Sequence, residues 1–433
     1  MKILFLTQVL PYPLDAGPKV RAYHVLRYLA QRHQVTLVSF VRPGDPPAAL
    51  AHLRALCGSV HTVPMVRSPG RDLFHLARSL AGPTPFLIAR DWVPAMAQTL
   101  DRVVQAEGPF DAVHADQLWM APYALGIAEQ AHPPGSIRRV LDQHNAVFLI
   151  PGRMAAGEGN PLKRVLMALE ARKLARYEAE VCARFDRVVW VTEDDRRAVQ
   201  GQAARFGLQQ AVAAADGSVI PICVDPEAEP PIPRGPDPRR VTFLGGLHYP
   251  PNAQGVLWFA REVFPQVLAQ VPNAILTVMG KQPPAALARL GLPPGSLELT
   301  GYVDDPRPYL ADTAAFIVPL LAGGGMRVKI LDAWSWGLPV VSTTVGAEGI
   351  QLRAGEQLVL ADEPGDFARA VVRCLQEPDY ARQLAQAGRD WVLAHYHWRL
   401  RYRAWEAIYP APQAEPVRSR VREPAGSQPV VRT

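Results

Sequence analysis

Short aliphatic runs alternate with helical patterns along this chain, and the alternation occurs twice. The run "ILFLTQV" precedes "VRAYHVLRYLAQRH", in which Val20, Tyr23, Leu26 and Leu29 recur at helical spacing. Similar runs follow in the first half: "VTLVSFV", "VHTVPMV", "DAVHAD", "RRVLDQ" and "RVVWVT". After residue 239 the alternation begins again, from "RVTFLGGL" to "LVLA". Short buried strands that alternate with helices are typical of a parallel, doubly wound sheet. The pattern therefore predicts an α/β protein with two Rossmann-like α/β/α domains.

A proline-rich segment separates the two halves. Residues 226–239, "PEAEPPIPRGPDPR", contain six prolines and almost nothing apolar, which is typical of an extended linker. We therefore place one domain at residues 1–225 and a second at 240–390, with a closing helix over 391–410 that packs back toward the first domain. The polar tail, residues 411–433, is predicted to be disordered. The two domains are expected to face each other across a cleft at the carboxyl ends of both sheets, where ligands of open α/β sheets bind.

The charge balance narrows the classes of partner. The net charge of +6 arises from 46 basic and 40 acidic side chains, without a long run of cations. This mild excess permits contact with an anionic substrate or membrane surface, but it does not predict binding to nucleic acid.

Cysteine usage and hydropathy indicate the compartment. The four cysteines are scattered without a CxxC pair, so neither a disulfide framework nor a zinc site is predicted, and a reducing cytosol fits. The beginning, "MKILFLTQVLPYP", is broken by prolines and is interpreted as a first strand rather than a signal peptide. No apolar run approaches the ~18 residues that span a bilayer. The prediction is a cytoplasmic protein, either soluble or in contact with a membrane surface.

The stretch "PLLAGGGMRVKILDAWSWGLPVV" combines a glycine-rich turn, two cations and a carboxylate between a predicted strand and a predicted helix. Amides of the turn, including those of Gly324 and Gly325, can point at an anion together with the positive end of the helix dipole. Arg327 and Lys329 in the first helical turn are electrostatically unfavourable unless an anion lies opposite. Asp332, further along, can accept hydrogen bonds from a ribose diol. The alternative is an ordinary turn before a surface helix, but two cations at the positive end favour a nucleotide-sugar site.

Other strand ends supply further candidates. Gly245 and Gly246 follow the predicted strand "RVTFL", so their amides can approach a phosphate. Glu348, in "VGAEGI", is compatible both with contact to the donor and with a simple turn acid. Glu178 lies on a helix and is assigned to structural pairing. Residues 71–92 mix cations with aromatic side chains, which suits an acceptor or membrane surface and equally a solvated pair of helices.

These residues give the chain a resemblance to glycosyltransferase family 4, whose members have the GT-B fold. "KILDAWSWGLPVVSTTVGAEG" is similar to the second half of the family's nucleotide-sugar signature, commonly Glu, seven residues, Glu, then Ala and Gly-x-Pro-Val-Val. It resembles a "GxGxRxKxLEA" branch more closely. Asp332 stands where the second glutamate is usual, and Gly324 occupies the place of the first. The resemblance extends to about residue 408.

The resemblance implies roles for individual residues. His144, just past "RRVLDQ", matches the family's histidine near the donor sugar and is the catalytic candidate. Gly17 lies in the first loop, where the family has glycines near the donor phosphates. Arg21 begins the next helix, where a place facing the cleft and a place in solvent are equally compatible. The family's usual cations after the strand "RVTFL" are missing, so Arg327 and Lys329 are expected to neutralise the diphosphate instead.

The resemblance also implies an activity. It is that of a metal-independent, retaining transferase that moves a sugar from a nucleoside diphosphate to a hydroxyl acceptor, with no cofactor besides the nucleotide sugar. The implied acceptor is a lipid-linked glycan or an exopolysaccharide precursor, at the cytoplasmic face of the inner membrane. The sequence has no D-x-D motif of the kind that holds a divalent ion in GT-A enzymes, and no GxGxxG, GxxxxGK, HExxH or GxSxG motif.

Two other functions stay open. A nucleotide-sugar epimerase on the same fold would act without an acceptor, but it would need further acids and histidines at the sugar. A non-catalytic relative would bind a nucleotide sugar or glycan and assist a partner transferase. Gly324 in the place of an acid is compatible with this second alternative.

Overall fold

Two separate parallel sheets form the centre of the molecule. The computed structural model describes residues 1–130, 135–303 and 305–410. The first sheet has seven parallel strands in the order β3-β2-β1-β4-β5-β6-β7. Its strands are β1 (Lys2–Thr7), β2 (Gln34–Val41), β3 (Ser59–Pro64), β4 (Ala112–Asp116), β5 (Arg138–Gln143), β6 (Arg187–Trp190) and β7 (Asp216–Val219).

The second sheet has six parallel strands in the order β10-β9-β8-β11-β12-β13. Its strands are β8 (Arg240–Leu244), β9 (Ile275–Met279), β10 (Leu297–Gly301), β11 (Thr313–Val318), β12 (Val340–Ser342) and β13 (Val359–Leu360). The predicted α/β class with two Rossmann-like domains is therefore confirmed.

Helices connect the strands of each sheet. In the first domain they are α1 (Gly17–Ala30), α2 (Pro47–Leu56), α3 (Pro69–Ala81), α4 (Phe86–Asp91), α5 (Pro94–Glu107), α6 (Ala121–Gln130), α7 (Leu149–Ala156), α8 (Pro161–Cys182), α9 (Glu193–Arg205) and α10 (Gln209–Ala215). After the linker they are α11 (Pro250–Trp258), α12 (Phe264–Leu268), α13 (Arg307–Leu310), α14 (Val328–Ser335), α15 (Pro364–Gln376), α16 (Pro378–His395) and α17 (Trp398–Arg401). No helix among the described residues is long and apolar enough to cross a membrane.

Strand β1 shows why the sheets are covered on both faces. Its side chains point alternately to opposite sides, so Leu4 and Leu6 pack in one core cluster while Ile3 and Phe5 pack in another. All four are fully buried. A strand that is buried on both faces requires apolar residues at successive positions, and this continuous aliphatic run is the pattern that identified the strand in the sequence.

The end of the described chain returns to the first domain. The sequence predicted a closing helix over 391–410, but α16 ends at His395. There the backbone leaves the helix and pairs with Val224, whose N–H donates to Tyr396 O at 3.0 Å and whose carbonyl accepts from Trp398 N at 3.1 Å. Aromatic residues beyond this point then join the core around Phe5. They are Trp398, Tyr402, Trp405 and Tyr409. The predicted disordered tail, 411–433, lies outside the described residues.

Candidate functional site

The glycine-rich turn lies between β11 and α14 and touches the first domain. Gly323 and Gly325 have φ of 141° and 72°, a region that favours glycine. A Cβ at residue 325 would lie 3.0 Å from Asn145 Cβ, and one at Gly324 would lie 3.3 Å from Ile150 Cγ1. The absence of side chains therefore lets this turn approach the loop after β5 closely.

Arg327, immediately before α14, is a buried cation with free hydrogen-bond donors. It is only 8% exposed, and Nη1 donates to Gly325 O at 2.7 Å and to Gly324 O. Its Nε and Nη2 are buried without a partner in the described part of the chain. Burial lowers the pKa of this guanidinium. A buried charge without a counter-ion is costly, so the arrangement suits a site completed by an anion.

Lys329 extends the same cationic site. Its Nζ donates to Asn252 Oδ1 at 3.1 Å and lies 4.2 Å from the centre of the Phe243 ring. Burial, together with the charge of Arg327, lowers the Lys329 pKa to about 7. A Cβ at Gly245 would lie 2.6 Å from Nζ, so the turn after β8 needs its glycine to accommodate this ammonium. The structure thus brings Gly245 and Lys329 together.

Gly246 belongs to the same turn through its backbone. Its carbonyl accepts from Asn252 Nδ2 at 2.8 Å, so Asn252 joins the turn to Lys329. A Cβ at Gly246 would lie 2.6 Å from the His248 ring, which leaves no room for a larger residue in this arrangement.

Asp332 lies one helical turn beyond Lys329 on α14. Burial and the charge of Glu229 raise its pKa to about 7, and Lys329 opposes the shift. No described residue donates a hydrogen bond to its half-buried carboxylate. This side chain is free to accept hydrogen bonds from a ligand.

Two helices begin at the same place from opposite domains. A Cβ at Gly17, the first residue of α1, would lie 3.3 Å from Val328 Cγ2, the first residue of α14. Because each helix N-terminus carries a partial positive charge, the two ends reinforce each other. They lie beside Arg327, and the resulting potential favours an anion.

His144 is held by two acids of the first domain. Its Nε2 lies 2.9 Å from Asp116 Oδ1 and 3.7 Å from Asp142 Oδ2. Burial favours the neutral ring, but the two carboxylates outweigh burial and raise the His144 pKa to about 9. The two carboxylates thus favour the protonated imidazole, in which both ring nitrogens are hydrogen-bond donors. Its backbone carbonyl would lie 3.4 Å from a Cβ at Gly325, so His144 borders the glycine-rich turn.

Two buried acids fix the loop that carries His144. Glu178 accepts from Val147 N at 2.7 Å and Phe148 N at 2.9 Å, and Asp195 accepts from Ala146 N at 2.7 Å. Glu178 thus has the structural pairing that the sequence indicated. Asp195 was missed, although its place three residues after Thr192 in "TEDD" is the pattern of a helix start.

Arg153 of α7 reaches across the cleft to the second domain. Its guanidinium binds Glu348 at two points, with Nη2 2.6 Å from Oε1, and also donates to Gly323 O. Glu348 is therefore paired with an arginine that the sequence analysis did not identify. No local pattern marks Arg153, since its partners lie 170 and 195 residues away.

Arg21 does not face the cleft, and that prediction is wrong. The side chain is 0% exposed and binds both oxygens of Asp142, at 2.9 and 2.8 Å. It also donates to Pro221 O at 2.7 Å and lies under the rings of Tyr402 and Trp405. The returning C-terminal segment covers Arg21, which the sequence pattern of the first helix cannot reveal.

One buried cluster has the composition of a metal site. Ligand atoms of His114, Asp116 and Asp142 lie within 4.8 Å of one another. Both oxygens of Asp142 already accept hydrogen bonds from Arg21, and Asp116 binds His144. These partners occupy the acids, so we assign no metal to the cluster.

Comparison with known proteins identifies the fold. Residues 238–377 match the family model described as glycosyl transferases group 1. Sucrose-phosphate synthase from Thermosynechococcus elongatus has a TM-score of 0.67 at 15% identity, over 94% of this chain and 98% of that one. Anabaena Alr3699/HepE, solved in complex with UDP and glucose, has a TM-score of 0.62 at 16% identity, over 94% and 99%. The predicted GT-B fold is confirmed.

The curated relatives are matched only over part of their length. The lipopolysaccharide core biosynthesis glycosyltransferase LpsE of Rhizobium meliloti is 30% identical over 106 residues, which are 24% of this chain and 30% of that protein. Such matches cover less than half of the relatives, 42% and 30% of their lengths. The resemblance to glycosyltransferases is confirmed at the level of group 1, while the narrower assignment to family 4 stays a prediction.

Proposed function

We propose that this chain, whose residues 238–377 match the family model of glycosyl transferases group 1, transfers a sugar from a nucleoside-diphosphate sugar to a hydroxyl acceptor. The observation that carries the proposal is Arg327, a buried guanidinium whose Nε and Nη2 have no partner among the described residues. A diphosphate supplies the missing acceptors. HepE, which has the same fold, was solved with UDP and with UDP-glucose.

The proposed donor lies over the N-termini of α1 and α14. Arg327 and Lys329 bind the diphosphate, and the amides of the glycine-rich turn add further donors. Asp332, whose carboxylate is free, accepts hydrogen bonds from the ribose diol. Gly245 leaves the space in which Lys329 and a phosphate meet. These roles match the chemistry of each group, and no divalent ion is needed to neutralise the leaving group.

In the proposed reaction the bond between the anomeric carbon and the diphosphate oxygen breaks. The developing negative charge on the diphosphate is stabilised by preorganised cations and helix ends, which is usually the largest catalytic effect. The acceptor oxygen then attacks the anomeric carbon from the side that the diphosphate leaves, so configuration is retained. The acceptor proton passes to the departing phosphate. His144, protonated between Asp116 and Asp142, donates a hydrogen bond to the sugar and takes no proton.

The acceptor is proposed to be a lipid-linked glycan or exopolysaccharide precursor at the cytoplasmic face of the inner membrane. Helix α3 supports this place, because Leu73 and Phe74 are 68% and 62% exposed and Leu80 is exposed as well. Arg71 and Arg78 are exposed on the same short helix. Cations beside apolar side chains suit an anionic membrane surface.

The direct test is turnover. Purified protein is incubated with UDP- and GDP-sugars, with and without a lipid extract as acceptor and with a metal chelator throughout. The proposal predicts release of the nucleoside diphosphate and a glycosylated lipid, both dependent on acceptor. Binding without turnover on any acceptor would instead support the non-catalytic alternative, and an isomerised sugar formed without acceptor would support the epimerase.

A further inference from the structure

A groove opens in the first domain beside the cleft. It has a volume of about 770 Å³ and lies where α7, α8 and α9 meet. The space between the helices is open because several of the residues that line it are small: Gly152, Ala156, Ala171 and Ala175. Phe148 and Phe206 supply aromatic surface along it. The space is in the range of a small-molecule site and far exceeds what a simple ion needs.

The charged residues of the groove are all basic. Of its eleven lining residues three are arginines, Arg153, Arg172 and Arg205, and none is acidic. Arg153 binds Glu348. Among the described residues, the Arg205 side chain has a hydrogen bond only to Gln202 Oε1, at 3.4 Å. Arg172 has no hydrogen bond or ion pair with any residue in the described ranges. Two exposed guanidinium groups thus lie beside an apolar floor without a carboxylate, which suits a phosphate.

An apolar stripe leads away from the groove along α8. Leu162, Val165 and Leu169 recur at helical spacing and are exposed, the first two by 68% and 62%. Arg172 follows Leu169 by one turn and so lies at the end of this stripe. The stripe, the arginines and the groove are therefore continuous on one side of the domain.

The groove also adjoins the proposed donor site. Arg153 lines the groove and at the same time contacts Gly323 O and Glu348 across the cleft. Phe148 lines it too, and lies in the loop that Glu178 fixes behind His144. A ligand whose charged end occupies the groove has its next chemical group directed toward the glycine-rich turn.

We propose that this groove binds the phosphate and the first apolar units of a lipid-linked acceptor. The claim rests on the proposed function, since it assigns the acceptor side of the same reaction. A glycan is a poorer fit, because sugar hydroxyls are normally met by carboxylates and amides, and Gln202 is the one such side chain among the lining residues. A long apolar chain continues from the groove over Leu169, Val165 and Leu162.

Farnesyl phosphate, a short and water-soluble prenyl phosphate, is the probe. Its binding to the full chain is measured by calorimetry below its aggregation concentration, with inorganic phosphate and farnesol as separate competitors. The proposal predicts saturable binding that neither competitor alone reproduces at the same concentration. Equal competition by inorganic phosphate would show a simple anion site, and equal binding of farnesol would show an apolar pocket without phosphate recognition. Either result overturns the proposal.

Charge reversal locates the site. The double variant Arg172→Glu/Arg205→Glu is expected to weaken farnesyl phosphate binding by roughly tenfold or more, since two charge-assisted contacts are replaced by repulsion. Arg164→Glu, an exposed change on the same helix away from the groove, is the matched control and is expected to bind like wild type. Equal affinities in the double variant and the control would overturn the proposal.

Nucleotide binding by the same samples separates the two claims. The groove variants are expected to bind the nucleotide as wild type does, because both arginines lie outside the donor site. Nucleotide binding without farnesyl phosphate binding would refute the groove alone. Farnesyl phosphate binding without any nucleotide binding would refute the proposed transferase and leave the groove as a lipid-phosphate site.

Discussion

Arg153 and Glu348 form a two-point ion pair across the cleft, with Nη1–Oε2 and Nη2–Oε1 distances of 2.5 and 2.6 Å. The same guanidinium also donates to the carbonyl of Gly323. One side chain of the first domain therefore holds both the glycine-rich turn and the loop after β12. The pair therefore joins the first domain to two loops that border the proposed donor site.

We expect Arg153→Gln and Glu348→Gln to weaken nucleotide binding by a similar, modest factor. Each side chain is about one third exposed, at 33% and 28%, so solvent screening limits the pair to about 0.2–1 kcal/mol, or up to about fivefold in affinity. Calorimetry on both single variants and the double variant measures the coupling. We predict that the double variant binds the nucleotide with the same affinity as the weaker-binding single variant. Fully additive losses would mean that the pair does not act as a unit.

Nucleotide binding should be accompanied by proton uptake at alkaline pH. The Lys329 pKa is about 7 in the ligand-free protein, so this amine is largely neutral at pH 8.5. A bound diphosphate favours the ammonium and raises that pKa, and the amine then takes up a proton. Asp332, with a pKa of about 7, is already ionised at pH 8.5 and contributes little.

The uptake is measured by calorimetry at pH 8.5 in two buffers of different ionisation enthalpy. Wild type is expected to take up close to one proton per nucleotide, and Lys329→Met none. Affinity should also fall as the pH rises from 7 to 9 in wild type but not in the variant. Identical proton uptake in both proteins would exclude Lys329 from the anion site.

The strand ends that border the cleft could be predicted from the sequence. At these ends the buried aliphatic runs stop, and glycines and polar residues follow. Gly245 and Lys329 were identified in this way, and Gly17 through the family resemblance. The structure places all three beside the N-terminus of α14. Local patterns carry this information, since a strand and the turn after it are adjacent in the chain.

Residues that depend on distant partners could not be predicted. Arg153 looks like any helix cation until Glu348 is found 195 residues later. In the sequence, Arg21 was equally compatible with a place in the cleft and a place in solvent. In the structure it lies in neither, because Tyr402 and Trp405 of the C-terminal segment cover it. The C-terminal segment buries part of the first helix, and the sequence of that helix does not reveal this burial.

The Arg21–Asp142 pair should dominate the stability of the first domain. Both side chains are 0% exposed, so Arg21→Met removes the two-point partner of the buried Asp142 carboxylate and leaves His144, at 3.7 Å, as the cation beside it. We expect a loss of about 3–5 kcal/mol in the free energy of unfolding, measured by urea denaturation. The double variant Arg21→Met/Asp142→Leu should recover much of this loss. A double variant less stable than Arg21→Met would contradict the interpretation.

The effect of Arg21→Met should also depend on pH. Burial raises the Asp142 pKa, but Arg21 outweighs it and holds that pKa well below its usual range. In wild type the pair therefore stabilises the fold above the unfolded carboxyl pKa of about 4. Without Arg21 the carboxyl pKa rises in the folded state, so the variant's loss should be smaller at pH 4.5 than at pH 8.

Glu178 should be required for a well-formed His144 loop. Its carboxylate accepts from Gln143 Nε2 at 2.7 Å as well as from two backbone N–H groups. Glu178→Ala leaves these buried donors unsatisfied, at about 1–3 kcal/mol each, and we expect a net loss of roughly 3 kcal/mol or more. The exposed neighbour Glu180→Ala is the control and should lose less than about 0.5 kcal/mol. Urea denaturation of the two variants gives the comparison.

The central claim is that Arg327 and its surroundings bind a nucleoside diphosphate without a metal ion. Calorimetry with UDP, GDP and their glucose, mannose and N-acetylglucosamine conjugates, in the presence of chelator, tests it most directly. At least one nucleotide should bind wild type and Arg307→Ala, an exposed control in the same domain. Arg327→Ala should bind it roughly 10- to 100-fold more weakly, since the lost contacts join a cation to a charged ligand, and Asp332→Ala should also bind more weakly. If no nucleotide binds, or if Arg327→Ala binds like Arg307→Ala, the claim is wrong.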